Sequence, residues 1–392
     1  MHPALSSDLR ALLEIQEHVD ELRKRWARGP ARHGADLAYA NPYDGPPPAV
    51  RAALEKAVAG GRSLDLQYTP YGGATVPRRR VAQDLAATHD VPFRWQDVVL
   101  TPGAMAALNL VLRSLVVPDG PRRVLMPVPC WLDYPLYLRQ LGLEPVPLPL
   151  GADLRLDLEA IAEALEEDAA ALLLSQPGNP TGIAYGEEEL RGVAALLQEA
   201  EERHGHPITW ISDECHRDFV PPRIPCPSPA RFHDQVVVVY SFGKRLFIQG
   251  QRIGFAAVSP RCRDHETLRE LLVQLSRAMG FCTPTALMQG ALIDLLEVED
   301  DHGWVHARRR ETAATLRGAG YELVEPDGTF FLYPQVPAGE DDLGFTARLA
   351  EAGVLVLPSS LFHHTGHVRL SLTDTDEAMG RALPLLCGAI QR

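Results

Sequence analysis

Ser241-Phe242-Gly243-Lys244 follows the apolar run Val236-Val237-Val238-Val239 and precedes Gly250-Gln251-Arg252-Ile253-Gly254. Four consecutive valines read as a buried strand, which places Lys244 just past its end. Partial desolvation there lowers the pKa of a lysine and leaves a neutral amine able to form a Schiff base. The hydroxyl of Ser241 and the guanidinium of Arg252 are close enough in sequence to reach one phosphate together. Taken alone, the stretch also reads as a strand followed by a solvated basic loop. The segments around it decide between the two.

Upstream and downstream, apolar runs alternate with helical segments. Strands are expected at 98–100, 123–126, 170–174, 208–212, 236–240 and 253–258, with helices after Thr101, Trp131, Glu187 and Arg263. Near-continuously apolar strands separated by helices imply an α/β fold with a largely parallel sheet covered on both faces. Ligands of such sheets bind at the carboxyl ends of the strands. A helix is expected over 8–28, ended by a polar, proline-rich passage over 29–48 that cannot be a central strand because proline removes ladder donors. Beyond Pro284 the pattern changes to helices near 286–297 and 312–319 and short strands near 330–333, 354–357 and 368–370. The expected division is an N-terminal segment, 1–59, that completes a smaller α+β domain at 284–392, with a large domain at 60–283 between them.

Composition narrows the function. The 392 residues are 46% apolar, and a net charge of −13 disfavours a nucleic-acid surface, which needs a concentrated basic face. Arg78-Arg79-Arg80 and Arg308-Arg309-Arg310 lie in helical segments and read as solvated faces. No run of eighteen apolar residues and no leader pattern occurs at 1–10, so the expected location is the cytoplasm, without a membrane partner. Six cysteines without CxxC spacing read as reduced thiols. His363, His364 and His367 raise a metal reading, but Gly366 and the strand after it argue against a helix carrying the outer pair, so no metal is expected.

Other segments at strand ends carry chemistry. Thr101-Pro102-Gly103-Ala104-Met105 opens a helix whose free N–H groups form an anion site, or else is a helix start capped by the threonine. Pro129-Cys130-Trp131-Leu132-Asp133-Tyr134-Pro135 offers a flat tryptophan face. Ser175-Gln176-Pro177-Gly178-Asn179-Pro180-Thr181-Gly182 fixes a rigid turn, and Ser212-Asp213-Glu214-Cys215-His216 sets a carboxylate at a strand end. His367-Val368-Arg369-Leu370 presents a guanidinium suited to a substrate carboxylate.

Together these segments resemble the class I/II aminotransferase family of fold type I pyridoxal phosphate enzymes, over roughly residues 36–380. The resemblance implies a mainly parallel seven-stranded sheet flanked by helices, plus a smaller α+β domain. It implies pyridoxal 5′-phosphate bound to Lys244 as a Schiff base, with its phosphate on Gly103, Ala104, Met105, Ser241 and Arg252. Trp131 would stack on the ring, Asn179 would bond its phenolic oxygen, and Asp213 would keep its nitrogen protonated. His216 stands where aminotransferases usually have tyrosine, as in some carbon–sulfur lyases of the same fold. Tyr68, in Gln67-Tyr68-Thr69-Pro70-Tyr71-Gly72-Gly73, would reach the phosphate of a neighbouring subunit in a homodimer. Arg369 would bind the substrate carboxylate, with Asn179 and Ala40 beside it. The family often has Gly-x-Pro where this chain has Ala40-Asn41-Pro42, and the extra methyl reshapes that pocket.

The implied activity is transamination between an α-amino acid and a 2-oxo acid, with Lys244 as the general base and Asp213 supporting the ring. A lyase, or a β/γ-elimination, replacement or carbon–carbon bond-forming enzyme of secondary metabolism, is the alternative, because His216 and Ala40 both depart from the pattern. A cofactor-sensing regulator is disfavoured, since about forty residues before the resembling region leave no room for a DNA-binding module.

Overall fold

The computed structural model describes residues 7–29, 34–42, 45–60, 66–299 and 302–390. After a helix, Ser7–Arg28, a two-residue strand β1 (Ala35–Asp36) is followed by two more helices, Pro48–Ala59 and Thr75–His89. Seven strands then build the central sheet: β2 (Val98–Thr101), β3 (Arg123–Val128), β4 (Glu144–Pro149), β5 (Ala169–Ser175), β6 (Thr209–Asp213), β7 (Val236–Ser241) and β8 (Gly254–Val258). Their order is β2-β8-β7-β6-β5-β3-β4, and every pairing is parallel except that β8 runs antiparallel to both neighbours.

Alternation along each strand divides the apolar residues between two faces. Val237 and Val239 of β7 join Val99, Ile211, Ala256 and Val258 in a core with Leu108 and Val111 of helix Ala104–Ser114 and Leu272 of helix His265–Ala278. Val236, Val238 and Tyr240 face the other way, onto Val81 and Leu85 of helix Thr75–His89 and Leu190, Val193 and Leu197 of helix Glu187–His204. Both faces are covered, as the uninterrupted valine run requires.

Six of these seven strands are those expected from the sequence. The seventh, β4, Glu144-Pro145-Val146-Pro147-Leu148-Pro149, was not expected, because three prolines argue against a strand. They are tolerated because β4 is the sheet edge and pairs only with β3. Glu144 N–H donates to Arg122 and Leu150 N–H to Val128, so the even positions face β3 and the odd, proline positions turn their missing donors to the open side. The same pattern blocks further strand addition at this edge.

The remaining strands are β9 (Phe331–Leu332), β10 (Val354–Leu355), β11 (Leu357–Pro358) and β12 (Val368–Ser371). β11, β12 and β9 form an antiparallel sheet, whereas β10 pairs in parallel with β1, Ala35 opposite Val354. The proline-rich passage therefore contributes a short strand, not a central one. Leu37, Leu316, Phe345, Leu349, Val368 and Leu370 share one core. Arg369, between two of them on β12, turns to the opposite face.

At the start of β8, Gly254 lies so close to its neighbours that a Cβ would collide with the Tyr240 carbonyl oxygen and sit 3.0 Å from the Gly103 backbone. Gly254→Ala is expected to cost about 3 kcal/mol by overpacking, read as a lower urea midpoint. An unchanged midpoint would mean that the backbone gives way there at no cost.

Candidate active site

Register brings the carboxyl ends of three parallel strands together. Ser175 of β5 lies opposite Asp213 of β6, and Asp213 lies opposite Val239 of β7, two residues before Ser241. The chain then turns into Phe242–Arg245, a single helical turn that carries Lys244. Above these ends lies a cavity of about 170 Å³, and Ala104, Met105, Trp131, Asn179, Asp213, His216, Ser241, Lys244 and Arg252 all line it.

Gly103 is the N-cap of helix Ala104–Ser114 and has φ +83, a left-handed conformation that glycine adopts without strain. The simpler alternative, Thr101 as the helix cap, does not hold: the Thr101 hydroxyl donates to the Gly103 carbonyl over 2.9 Å. A Cβ at Gly103 would lie 2.7 Å from the Arg252 guanidinium, so the space between that cation and the helix N-terminus is open only because no side chain fills it. The first N–H groups of the helix have no partner within it and point, with its dipole, toward that space. Arg252 gives one N–H to the Gln249 carbonyl at 2.7 Å and pairs with no carboxylate among the described residues.

Asp213 is buried, and its Oδ2 accepts from the Tyr134 hydroxyl at 2.7 Å while Oδ1 accepts from the Cys215 N–H at 3.1 Å. Burial raises the carboxyl pKa, and the bonds from Cys215 and Tyr134 offset part of that rise. Tyr134, fully buried and the first residue of helix Tyr134–Gln140, is a site residue that the sequence alone did not single out. Its signal was present, three residues after Trp131 in an aromatic stretch. Trp131 meets Tyr134 and Tyr137 edge to face, at centroid distances of 5.5 and 5.7 Å.

Lys244 has its pKa lowered to about 8, chiefly by burial and next by the Arg369 cation. Its Nζ lies 5.7 Å from the centre of the Phe330 ring. His216 is buried with Phe330 and Phe331 at ring distances of 5.1 and 5.3 Å, and its Nδ1 has no hydrogen-bond partner. Burial, then the Lys244 and Arg369 charges, hold it well below the usual histidine range, so the ring is neutral at pH 7.

Arg369 does not line the cavity itself but reaches its wall. It donates to Asn179 Oδ1 at 3.1 Å and to the Ala38 carbonyl at 2.9 Å, and its guanidinium packs between the rings of Phe331 and Phe362. No carboxylate pairs with it among the described residues, and its Nε is buried without a partner. Burial pulls its pKa down to about 9, which still leaves the group charged at pH 7. Ala40 is tied to the cavity through Gln249, whose Nε2 donates to the Ala40 carbonyl at 2.9 Å. Tyr68 stands apart, fully exposed on the outside of this chain. The histidines His363, His364 and His367 line a different and larger cleft of about 880 Å³, where His364 and His367 pack on Tyr333. Among the described residues no cluster of histidine, cysteine or acidic side chains is placed to hold a metal ion.

These features fit pyridoxal phosphate: an open anion cradle at Gly103, a buried acceptor at Asp213, an indole wall, and a lysine that sheds its proton near neutrality. Comparison with known proteins agrees. The family model described as aminotransferase class I and II matches residues 32–385. A probable aspartate/prephenate aminotransferase of Aquifex aeolicus is 29% identical over 352 residues, 85% of each chain. An aspartate aminotransferase of Bacillus subtilis is 26% identical over 351 residues, 84% of this chain and 85% of the relative. The crystal structure of an amino transferase from Eubacterium rectale has the same fold, with a TM-score of 0.90 at 24% identity over 100% of this chain and 99% of that one.

Fold and family are thus those of a pyridoxal phosphate-dependent transferase. The chain belongs to the class I and II aminotransferase family, whose reaction moves an amino group between an α-amino acid and a 2-oxo acid. Nothing in these comparisons supports the lyase alternative. No described helix is long and apolar enough to cross a membrane.

The lysine supplies a direct test. In cofactor-free protein, the rate at which an aldehyde reagent with borohydride labels Lys244 is expected to be half-maximal near pH 8. A midpoint near 10.5, the value of a free lysine, would contradict the geometry described for its surroundings.

Proposed function

We propose that Lys244, Asp213 and Arg369 are the working residues of this aminotransferase. The observation that carries the reading is the pairing, at one cavity wall, of a readily neutralised amine with a buried guanidinium that has no carboxylate partner among the described residues. Lys244 would hold pyridoxal phosphate through Nζ. The N–H groups from Gly103 to Met105, with Ser241 and Arg252, would take its phosphate. Trp131 would cover the ring, and Asn179, whose Oδ1 is engaged by Arg369, keeps its amide N–H groups to donate to the phenolic oxygen. Bound there, the cofactor supplies an electron-accepting ring that stabilises negative charge at the substrate α-carbon.

The residues do the rest. Arg369 fixes the α-carboxylate by two parallel bonds, which orients the Cα–H bond toward Lys244. Neutral Lys244 Nζ would remove that proton as a general base and, as the resulting ammonium, would hand it to the cofactor's aldehyde-derived carbon and not back to Cα, a role suited to a pKa of about 8. Asp213 would accept a hydrogen bond from the protonated ring nitrogen and keep it charged. His216, held uncharged by its burial beside Lys244 and Arg369, contributes a polar edge without adding positive charge.

We further read the enzyme as a cytoplasmic homodimer. Leu66, Tyr68 and Tyr71 are exposed apolar or aromatic side chains on one loop, consistent with burial against a second copy whose phosphate Tyr68 would reach. The division into a large unit at 60–283 and a smaller one at 1–59 and 284–392 is consistent with β1 pairing to β10.

Arg369→Lys is expected to raise KM for an α-amino acid about a hundredfold, from the loss of about 3 kcal/mol of paired hydrogen bonding. A monoamine without a carboxylate should be turned over as before. Lys244→Ala should abolish turnover of both. An unchanged KM in the arginine variant would remove the carboxylate assignment. For the dimer, sedimentation of active enzyme as a monomer would end the Tyr68 assignment.

A further inference from the structure

Glu214 follows Asp213 and turns to the opposite side of the strand end, away from the cavity. It is buried, at 2% exposure, in a place that costs a carboxylate heavily unless every lone pair is used. They are used. Oε2 lies 2.8 Å from His89 Nε2 and 3.6 Å from Arg217 Nη1, and Oε1 accepts from the Ser212 hydroxyl at 3.0 Å and the Ser228 hydroxyl at 2.5 Å.

The partners come from separate parts of the chain. His89 ends helix Thr75–His89, and Arg217 opens a short 3-10 turn over Arg217–Phe219. Arg217 also reaches Asp84 at 3.3 Å and stacks on Tyr240 of β7, whose hydroxyl donates to Asp218 at 2.7 Å. The backbone on either side of the Asp213 side chain is fixed as well: the Asp213 carbonyl accepts from Gln176, and the Glu214 N–H donates to Val239. The strand end that presents Asp213 to the cavity is therefore gripped from behind by an ionic network centred on Glu214.

We propose that Glu214 is a positioning residue for the transamination reaction: it locks the Asp213 carboxylate in place and sets a second negative charge behind it, so that Asp213 holds the cofactor's protonated ring nitrogen more tightly. The proposal rests on the reading of Asp213 given above. Burial alone would raise the Glu214 pKa, but His89, then Arg217 and Ser228, outweigh it and lower it to about 2, so the charge is present throughout the working range. That charge in turn acts on Asp213 in the direction of higher proton affinity. The groups facing Glu214 are His89, Arg217, Ser212 and Ser228, with Asp84 and Asp218 beyond Arg217.

The test uses full-length enzyme loaded with pyridoxal 5′-phosphate. Glu214→Gln keeps the shape and removes the charge. It is expected to weaken binding of pyridoxal 5′-phosphate about tenfold, read by quenching of tryptophan fluorescence, because a tenfold weaker hold on the ring-nitrogen proton carries through to cofactor affinity. It should lower kcat by a similar factor while KM for the amino acid stays the same, because Arg369 is untouched. Ser228→Ala removes one hydroxyl partner without touching the charge pair, and it is expected to move both quantities in the same direction by less. If Glu214→Gln does not fold, the serine variant decides alone. Wild-type cofactor affinity and kcat in these variants, or a change confined to thermal stability, would overturn the proposal. Failure of the wild-type protein to bind pyridoxal 5′-phosphate would instead overturn the reading of Asp213 on which it rests.

Discussion

A buried guanidinium that pairs with no carboxylate among the described residues is the constraint on which the site depends. Arg369 spends its hydrogen bonds on an amide oxygen and a backbone carbonyl, neutral acceptors that leave its charge uncompensated. The rings of Phe331 and Phe362 lie against it but add only modest attraction. Such a group raises the energy of the empty protein and lowers it when an anion arrives. Its field also depresses the Lys244 pKa, so on the proposed reading one buried cation would both receive the substrate and ready the base.

The opposite strategy governs the cavity floor. Asp213 is a buried carboxylate whose pKa burial raises, supported by a hydrogen bond from the Tyr134 hydroxyl and backed by the satisfied carboxylate of Glu214. Asp213, the last residue of β6, and Glu214, the next along the chain, thus turn to opposite sides, one facing the cavity and the other anchoring the strand end. The parallel sheet makes this possible, since the register of β5, β6 and β7 brings three strand ends to one level. Gly103 and Gly254 add the close backbone approach that opens the anion cradle.

Much of this is legible in the amino-acid sequence alone. The valine run, with Lys244 just beyond it, marked a buried strand because no other element places four consecutive β-branched residues so economically. Most of the positions that line the cavity were readable because they follow an apolar run, and strand ends are where such folds bind ligands; Arg252 instead precedes β8 and was readable by its nearness to Lys244. What escaped has identifiable causes. The prolines of β4 signal a loop unless the strand is known to be an edge, which is a property of the whole sheet. Tyr134 reads as core packing until Asp213 is seen within bonding distance, and the ring of partners around Glu214 spans segments more than a hundred residues apart. Tyr68 is legible by resemblance only, for within one chain it touches no part of the cavity.

The most direct measurement of the central claim is a single turnover. Protein loaded with pyridoxal 5′-phosphate is mixed with one α-amino acid and no 2-oxo acid, while the cofactor absorbance and the released products are followed together. The account predicts one 2-oxo acid per site and stoichiometric conversion of the cofactor to its amine form, after which the reaction stops. Ammonia or another leaving group accumulating over many turnovers, with the cofactor spectrum restored each time, would contradict it.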